Sequence, residues 1–158
     1  MPNWCSNILT ISGSTAEVKP FIDSLKNLNP EREVSRLPLV LDFRVHAPLP
    51  EDSNIDVATR LWGTKWLIDS DDAGDWDILD DGQTCSASLF FMSAWSPPLE
   101  WLKTVGELYP SIDFLISYEE PANRFQGSMI ISQGEVTLDE TDEFAWEDEF
   151  DEDEEDLD

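Results

Sequence analysis

The spacing of apolar residues predicts a strand followed by a helix at the start of the chain. Ile8–Ile11 is a short β-prone run. Ser14 and Glu17 then have the spacing of a capping box, in which both side chains bind free backbone N–H groups of the first helical turn. Apolar residues follow at helical spacing, namely Val18, Phe21, Ile22 and Leu25. We therefore expect a helix that starts after Ser14 and ends at Asn29–Pro30.

The middle of the chain predicts two strands with a short amphipathic piece between them. Leu39–Val45 alternates between apolar and polar residues, which is typical of a half-buried strand. Ile55–Leu61 is a short amphipathic piece, and Asp69–Asp81 is predicted to be an acidic loop around Trp76. Cys85–Ser93 has consecutive apolar residues at its centre, so we expect a central strand that is covered on both faces.

The pattern then predicts a second helix and two more strands. Ser96 can cap a helix whose first residues are Pro97–Pro98, because proline is tolerated in the first turn. Tyr109 and the proline after it end this helix. Ile112–Tyr118 and Ser128–Ser132 are β-prone runs separated by turn residues.

This order of elements favours an α+β fold. Two successive β-α-β units with an extra terminal strand are typical of a ferredoxin-like split β-α-β sandwich with an antiparallel sheet. The two halves would divide near residue 60. We expect one ferredoxin-like domain over residues 1–134 and an acidic, disordered tail over residues 135–158.

Composition and charge restrict the function. The formal net charge is −26, and fourteen of the 35 carboxylates lie in Asp139–Asp158, which contains no basic residue. Such a chain repels nucleic acid and anionic membranes and attracts basic surfaces. Cys5 and Cys85 have no metal-type spacing, and no signal peptide or membrane span is visible, so we expect a cytoplasmic protein without a metal.

Three short motifs carry a resemblance to a known family. They are Met1–Asn7 (MPNWCSN), Trp62–Trp66 (WGTKW) and Ser93–Pro98 (SAWSPP). Over about residues 1–134 the chain resembles the YubB-type ferredoxin-like proteins of phages and conjugative plasmids. The resemblance implies a ferredoxin-like fold and an accessory role in a mobile element, and it implies no catalytic residue at these positions.

Catalytic chemistry has little support in the residues themselves. His46 is the single histidine, and it can act as a general base only if a nucleophile such as Cys5 lies within hydrogen-bond reach. Gly63–Lys65 lacks the upstream glycine of a phosphate-binding loop. We expect no catalytic residue and no cofactor, and a small hydrolase or transferase built on His46 and Cys5 is the alternative.

An aromatic group in the middle of the chain allows two interpretations. Trp62, Lys65, Trp66 and Trp95 either brace the loops at one end of the sheet or form a surface that binds a partner. Single-stranded nucleic acid would suit the tryptophans but not the net charge. We therefore expect no direct contact with nucleic acid.

The acidic tail also allows two interpretations, a solubilising segment or a mimic of nucleic-acid phosphates. Trp146 and Phe150 lie four residues apart, so a helix induced by a partner would present both rings on one face. The carboxylates that we expect to contact a partner are Asp139, Glu140, Asp142, Glu143, Glu147, Asp148, Glu149, Asp151, Glu152 and Asp153.

Together these features predict a non-enzymatic phage or plasmid accessory protein in the host cytoplasm. It would bind a basic, nucleic-acid-binding host protein, such as a defence nuclease, and inhibit it by DNA mimicry. The alternative is a structural or assembly module with a solubilising tail, which pairs with another protein or with itself as a homodimer.

Overall fold

The computed structural model describes residues 3–26, 39–51, 54–64, 67–68 and 70–143. The strands are β1 (Trp4–Ser14), β2 (Asp77–Asp80), β3 (Thr84–Ala94), β4 (Asp113–Glu120), β5 (Phe125–Ser132) and β6 (Glu135–Glu143). The α-helices are α1 (Thr15–Leu25), α2 (Ile55–Trp62) and α3 (Leu99–Leu108). Two short 3-10 turns lie at Phe43–Val45 and Ser70–Asp72.

The six strands form one antiparallel sheet in the order β2-β3-β1-β4-β5-β6. β1-α1-β2 and β3-α3-β4 are two split β-α-β units, since in each unit the strand of the other unit lies between the two strands. This arrangement confirms the expected ferredoxin-like α+β fold. β5 and β6 extend the sheet beyond β4.

The second strand of the first unit is not where the sequence pattern placed it. It is β2, within the predicted acidic loop, whereas Leu39–Val45 contains the first 3-10 turn. Asp42 causes this difference, because its side chain accepts a hydrogen bond from the N–H of Arg44 and so begins the turn. The first three apolar residues of the alternation, Leu39, Leu41 and Phe43, are buried, but Val45 is 48% exposed. The two halves therefore divide between β2 and β3 and not near residue 60.

Both predicted caps are replaced by longer-range hydrogen bonds. Ser14 precedes α1 but its side chain makes no capping bond, and the Glu17 carboxylate accepts a hydrogen bond from the hydroxyl of Ser111. Ser96 donates to the backbone oxygen of Gly63 at 2.5 Å, and α3 begins only at Leu99. α1 ends at Leu25, and the predicted end at residues 29–30 lies outside the described part of the chain.

The core lies between the sheet and the helices. Alternate residues of β1, β3 and β4 are buried against α1 and α3, and burying a side chain of this size contributes about 1.5–3 kcal/mol. The main contacts come from Leu9, Ile11, Phe21, Ile22, Leu89, Phe91, Trp101, Leu102, Val105, Phe114 and Ile116.

The opposite face of the sheet is open in the described part of the chain. Phe90 is 51% exposed although Leu89 and Phe91 are buried, so the prediction that β3 is covered on both faces is wrong. Ile8, on the neighbouring strand, is 52% exposed. We call this surface the open face.

Ordered structure also continues beyond the predicted domain boundary at Gly134. Glu135–Glu143 forms β6, which pairs with β5 along its length. The register of this pairing shifts between Ile130 and Ile131 of β5. The first nine residues of the predicted disordered tail are thus an edge strand of the sheet. Residues 144–158 lie outside the described part of the chain.

Candidate functional site

The three sequence motifs converge at one end of the sheet. The N–H of Trp95 donates to the backbone oxygen of Asn3 at 2.7 Å, and the Thr64 hydroxyl donates to the backbone oxygen of Ala94 at 2.8 Å. Ser96 links the same turn to Gly63. Segments that are distant in sequence therefore hold the Ser93–Pro98 turn in place together.

A buried amide completes this network. The Nδ2 atom of Asn7 lies 2.9 Å from the Ser93 hydroxyl oxygen and 3.1 Å from the backbone oxygen of Cys5. The Ser93 hydroxyl donates in turn to the backbone oxygen of Ser96 at 2.7 Å. Because Asn7 is 1% exposed and is satisfied by hydrogen bonds, it stabilises the fold at this end of the sheet.

Trp95 has an unusual backbone conformation within the turn. Its φ is 73°, and the N–H of Ser96 donates to the backbone oxygen of Ala94 at 2.9 Å, as in a three-residue γ-turn. A bulky residue in this left-handed region is strained. The side chain is 38% exposed, so part of the indole is accessible at the surface.

The expected aromatic surface is therefore divided. Trp62 is 2% exposed, its Nε1 donates to the backbone oxygen of Ala47 at 2.8 Å, and its ring packs 5.4 Å from that of Phe43. Trp62 belongs to the core, so its prediction as a partner-binding residue is wrong. Lys65 and Trp66 lie outside the described part of the chain, and Trp95 is accessible in part.

His46 and Cys5 are not brought together. The Nε2 atom of His46 lies 3.1 Å from the Tyr109 hydroxyl, and burial lowers the pKa of His46. Cys5 is completely buried, its thiol lies 3.9 Å from the Asn7 side-chain oxygen, and burial raises its pKa to about 12. A thiol that stays protonated is a poor nucleophile, so the geometry gives no support to the hydrolase alternative.

A shallow depression of about 470 Å³ lies on the open face. Ile8 and Phe90 are cross-strand neighbours on β1 and β3 and supply its apolar side. Polar residues of the strands also line it, and three of the lining residues are carboxylates, namely Glu119, Glu140 and Asp142. We call this site the open-face depression.

The predicted acidic residues on β6 fall on both sides of the strand. Glu140 and Asp142 line the open-face depression, and Asp139 and Glu143 alternate with them. Glu147, Asp148, Glu149, Asp151, Glu152 and Asp153, with Trp146 and Phe150, lie outside the described part of the chain. Sequence reasoning missed Ile8, Phe90 and Glu119, although the alternation in Asp113–Glu120 places Glu119 on the open face.

Within the described ranges, no group of three or more histidine, cysteine or carboxylate side chains is placed to hold a metal ion. No helix in the same ranges is long and apolar enough to cross a membrane.

The fold and the site define a ferredoxin-like α+β domain with an acidic depression on its open face. A family model described as the ferredoxin-like domain in Api92-like protein matches residues 75–158, so the chain belongs to the family of Api92-like proteins. The matched region starts just before β2 and includes all of β6.

The crystal structure of the protein api92 from Yersinia pseudotuberculosis is similar to part of this chain. It is 18% identical, with a TM-score of 0.40, and the similarity covers 71% of this chain. The similarity spans 38% of the length of that protein. A search of curated proteins found no match.

Proposed function

We propose that this protein is a non-enzymatic, YubB-type accessory protein of a phage or plasmid that binds a basic host protein in the cytoplasm. The target would be a nucleic-acid-binding protein, such as a defence nuclease, whose basic surface the acidic chain occupies by DNA mimicry. The main support is the acidic edge strand β6. No carboxylate of β6 has an ion-pair partner among the described residues.

The spacing of charge along β6 supports mimicry of a phosphate backbone. Asp139–Glu143 contains four carboxylates in five residues. At about 3.4 Å per residue, this gives roughly one charge per 4 Å when both faces of β6 are counted, near the 3.4 Å per phosphate of one DNA strand. On the open face alone, Glu140 and Asp142 are about 7 Å apart. Since β6 is fixed to the sheet, these charges are held in extended form without the ordering cost of a free tail.

A capture experiment from host lysate tests this proposal. The full chain is compared with a version that ends at Glu143 and with a full-length variant in which Asp139, Glu140, Asp142 and Glu143 are replaced by their amides. A truncation at Gly134 would remove β6 and disturb the sheet, so Glu143 is the suitable end point.

The full chain should recover a nucleic-acid-binding protein that high salt or competing DNA releases, and the amide variant should recover much less. The version ending at Glu143 shows how much residues 144–158 add. Recovery that is insensitive to salt, or equal recovery by the amide variant, would contradict the proposal.

The opposite edge of the sheet favours a second candidate function, an assembly module. β2 is a short edge strand on which Leu79 is 71% exposed and Ile78 is 36% exposed. An apolar edge with unpaired backbone groups can add a strand from another protein or from a second copy. Sedimentation of the chain and of a Leu79→Lys variant distinguishes the two, because only the assembly module predicts a dimer that the variant loses.

A further inference from the structure

We propose that the open-face depression binds an arginine side chain of the partner, held between the ring of Phe90 and the carboxylate of Glu119, while Glu140 and Asp142 on β6 attract the next basic residue of the partner. This inference rests on the proposed function for the partner being a basic protein. It goes further by naming the site and the side chain that the site selects.

The register of the sheet gives the depression an apolar side and an acidic side. Phe90 pairs with Ile8, and Ile8 pairs with Ser117. The row continues from Ser117 through Ser128 to Glu140 on β6. One row of the open face therefore runs from an exposed aromatic ring, over two hydroxyl groups, to a carboxylate.

The next row adds two more carboxylates. Glu119 pairs with Gln126, and Gln126 pairs with Asp142. The Cα atoms of Glu119 and Asp142 are therefore about 10 Å apart across two strand spacings, and those of Glu140 and Asp142 about 7 Å apart along β6. None of the three carboxylates has an ion-pair partner in the described part of the chain.

This combination of groups fits a guanidinium better than other ligands. A guanidinium is planar, stacks on an aromatic ring and donates in several directions to carboxylates and hydroxyl groups at once. A lysine ammonium is compact and more strongly hydrated, so it gains less from Phe90. Single-stranded nucleic acid stacks on exposed sheet aromatics, but the three carboxylates would repel its phosphates.

Charge complementarity therefore determines the occupant. The site is concave and partly apolar, so it accepts the alkyl stem of the side chain as well as its charged end. An extended partner segment that crosses the open face would place one arginine in the depression and leave further basic residues near β6.

Fluorescence anisotropy with two labelled peptides tests the inference. One peptide alternates arginine with serine, and the other alternates lysine with serine at the same length and charge. With the full chain, the arginine peptide should bind about three- to tenfold more tightly, since stacking on an aromatic ring favours guanidinium. Equal affinity for both peptides would overturn the inference.

Variants locate the binding. Phe90→Leu keeps an apolar side chain but removes the ring, so the preference for arginine should fall to about twofold or less. The double variant Glu119→Gln/Asp142→Asn should bind the arginine peptide about tenfold more weakly. The matched control is Glu107→Gln/Asp75→Asn, which removes the same charge from exposed positions outside the depression and should change affinity about twofold at most.

Equal losses in the two double variants would show only general attraction between charges and would overturn the inference. Binding of a single-stranded oligonucleotide at the depression, detected by loss in Phe90→Leu, would also overturn it. Amide NMR spectra of each variant check that the sheet is intact.

If the peptide results hold but no basic protein is captured from lysate, the arginine site stands and the proposed function fails. If Phe90→Leu and the double variant Glu119→Gln/Asp142→Asn each capture a basic protein as well as the unchanged chain does, only the arginine site fails.

Discussion

The hydroxyl of Tyr118 on β4 lies 2.5 Å from the hydroxyl of Thr141 on β6, although β5 lies between these two strands. Tyr118 pairs with Gly127 on β5, and Gly127 pairs with Thr141. Because glycine has no Cβ, the tyrosine ring can lie across β5 at this position. The acidic edge strand is thus tied directly to the buried part of the sheet.

Replacing Tyr118 by phenylalanine should loosen β6. The hydroxyl bond to Thr141 would be lost, which costs about 1 kcal/mol of unfolding free energy. Hydrogen exchange should rise more at β6 amides than at β1 amides, since β1 is in the middle of the sheet. Denaturant unfolding gives the free energy of unfolding of each variant. A double-mutant cycle with Thr141→Val measures the interaction between the two hydroxyl groups. Additive losses in that cycle would show that the two hydroxyls do not interact.

Gly127→Ala should be more damaging than an ordinary glycine substitution. A Cβ at this position would lie 2.5 Å from the Tyr118 hydroxyl oxygen and would also overlap the backbone oxygen of Glu140. The expected loss is about 1–3 kcal/mol, as for other overpacked sites. Gly74→Ala is the matched control, because its Cβ would meet only the Phe90 backbone oxygen at 3.8 Å. Similar thermal unfolding of both variants would contradict this account.

The periodic parts of the fold are predictable from the sequence because burial on one side of an element enforces its period. The runs that predicted β1, β3, β4, β5 and α1 contain the residues that meet in the core. The strand predicted at Leu39–Val45 is wrong because a turn with buried residues has the same apolar alternation there. β2 gave no signal because its four residues are all exposed at a sheet edge.

The candidate site was less predictable for a different reason. Glu119, Ile8 and Phe90 come from three strands and form one surface only through the register of the sheet. Five of the nine residues of β6 are acidic, so its composition predicts a tail. Such a composition is unfavourable for a buried strand but suits an exposed edge. The convergence of the three motifs likewise depends on long-range hydrogen bonds that no local pattern records.

At Trp95 the usual order of stability between alanine and glycine should be reversed. Alanine would retain the unfavourable left-handed backbone, whereas glycine adopts a φ of 73° freely. Trp95→Gly should therefore be about 1 kcal/mol more stable than Trp95→Ala. At Ser88, within β3, the alanine variant should be more stable than the glycine variant, which is the ordinary order. Denaturant unfolding of the four variants decides the point, and a less stable glycine at Trp95 would refute it.

The two cysteines should be unreactive in the folded protein. Cys5 is completely buried and its pKa is raised to about 12, and burial also raises the pKa of Cys85. At neutral pH a thiol reagent should therefore modify neither residue until the chain unfolds. Mass spectrometry after brief labelling, with and without denaturant, measures this. Rapid native labelling of Cys5 alone would reopen the possibility of a nucleophilic role.

His46 should make stability fall as the solution is acidified. Burial lowers its pKa in the folded protein below the usual 6.5, while the unfolded chain keeps the ordinary value. The contribution of neutral His46 to the free energy of unfolding is therefore fully present above pH 6.5, and it is lost as pH falls through the lower pKa of the folded state. A His46→Gln variant lacks this component but can still pair with the Tyr109 hydroxyl.

The unfolding free energy of the variant should fall less between about pH 7.5 and about pH 5 than that of the unchanged chain. Carboxylate titration is common to both proteins and cancels in the difference. The unpartnered and buried Nδ1 of His46 gives the reason for the sign, because a proton added there would be removed from water without a hydrogen-bond acceptor in the described part of the chain. Parallel profiles of the two proteins would mean that His46 is protonated as easily in the fold as in the unfolded chain.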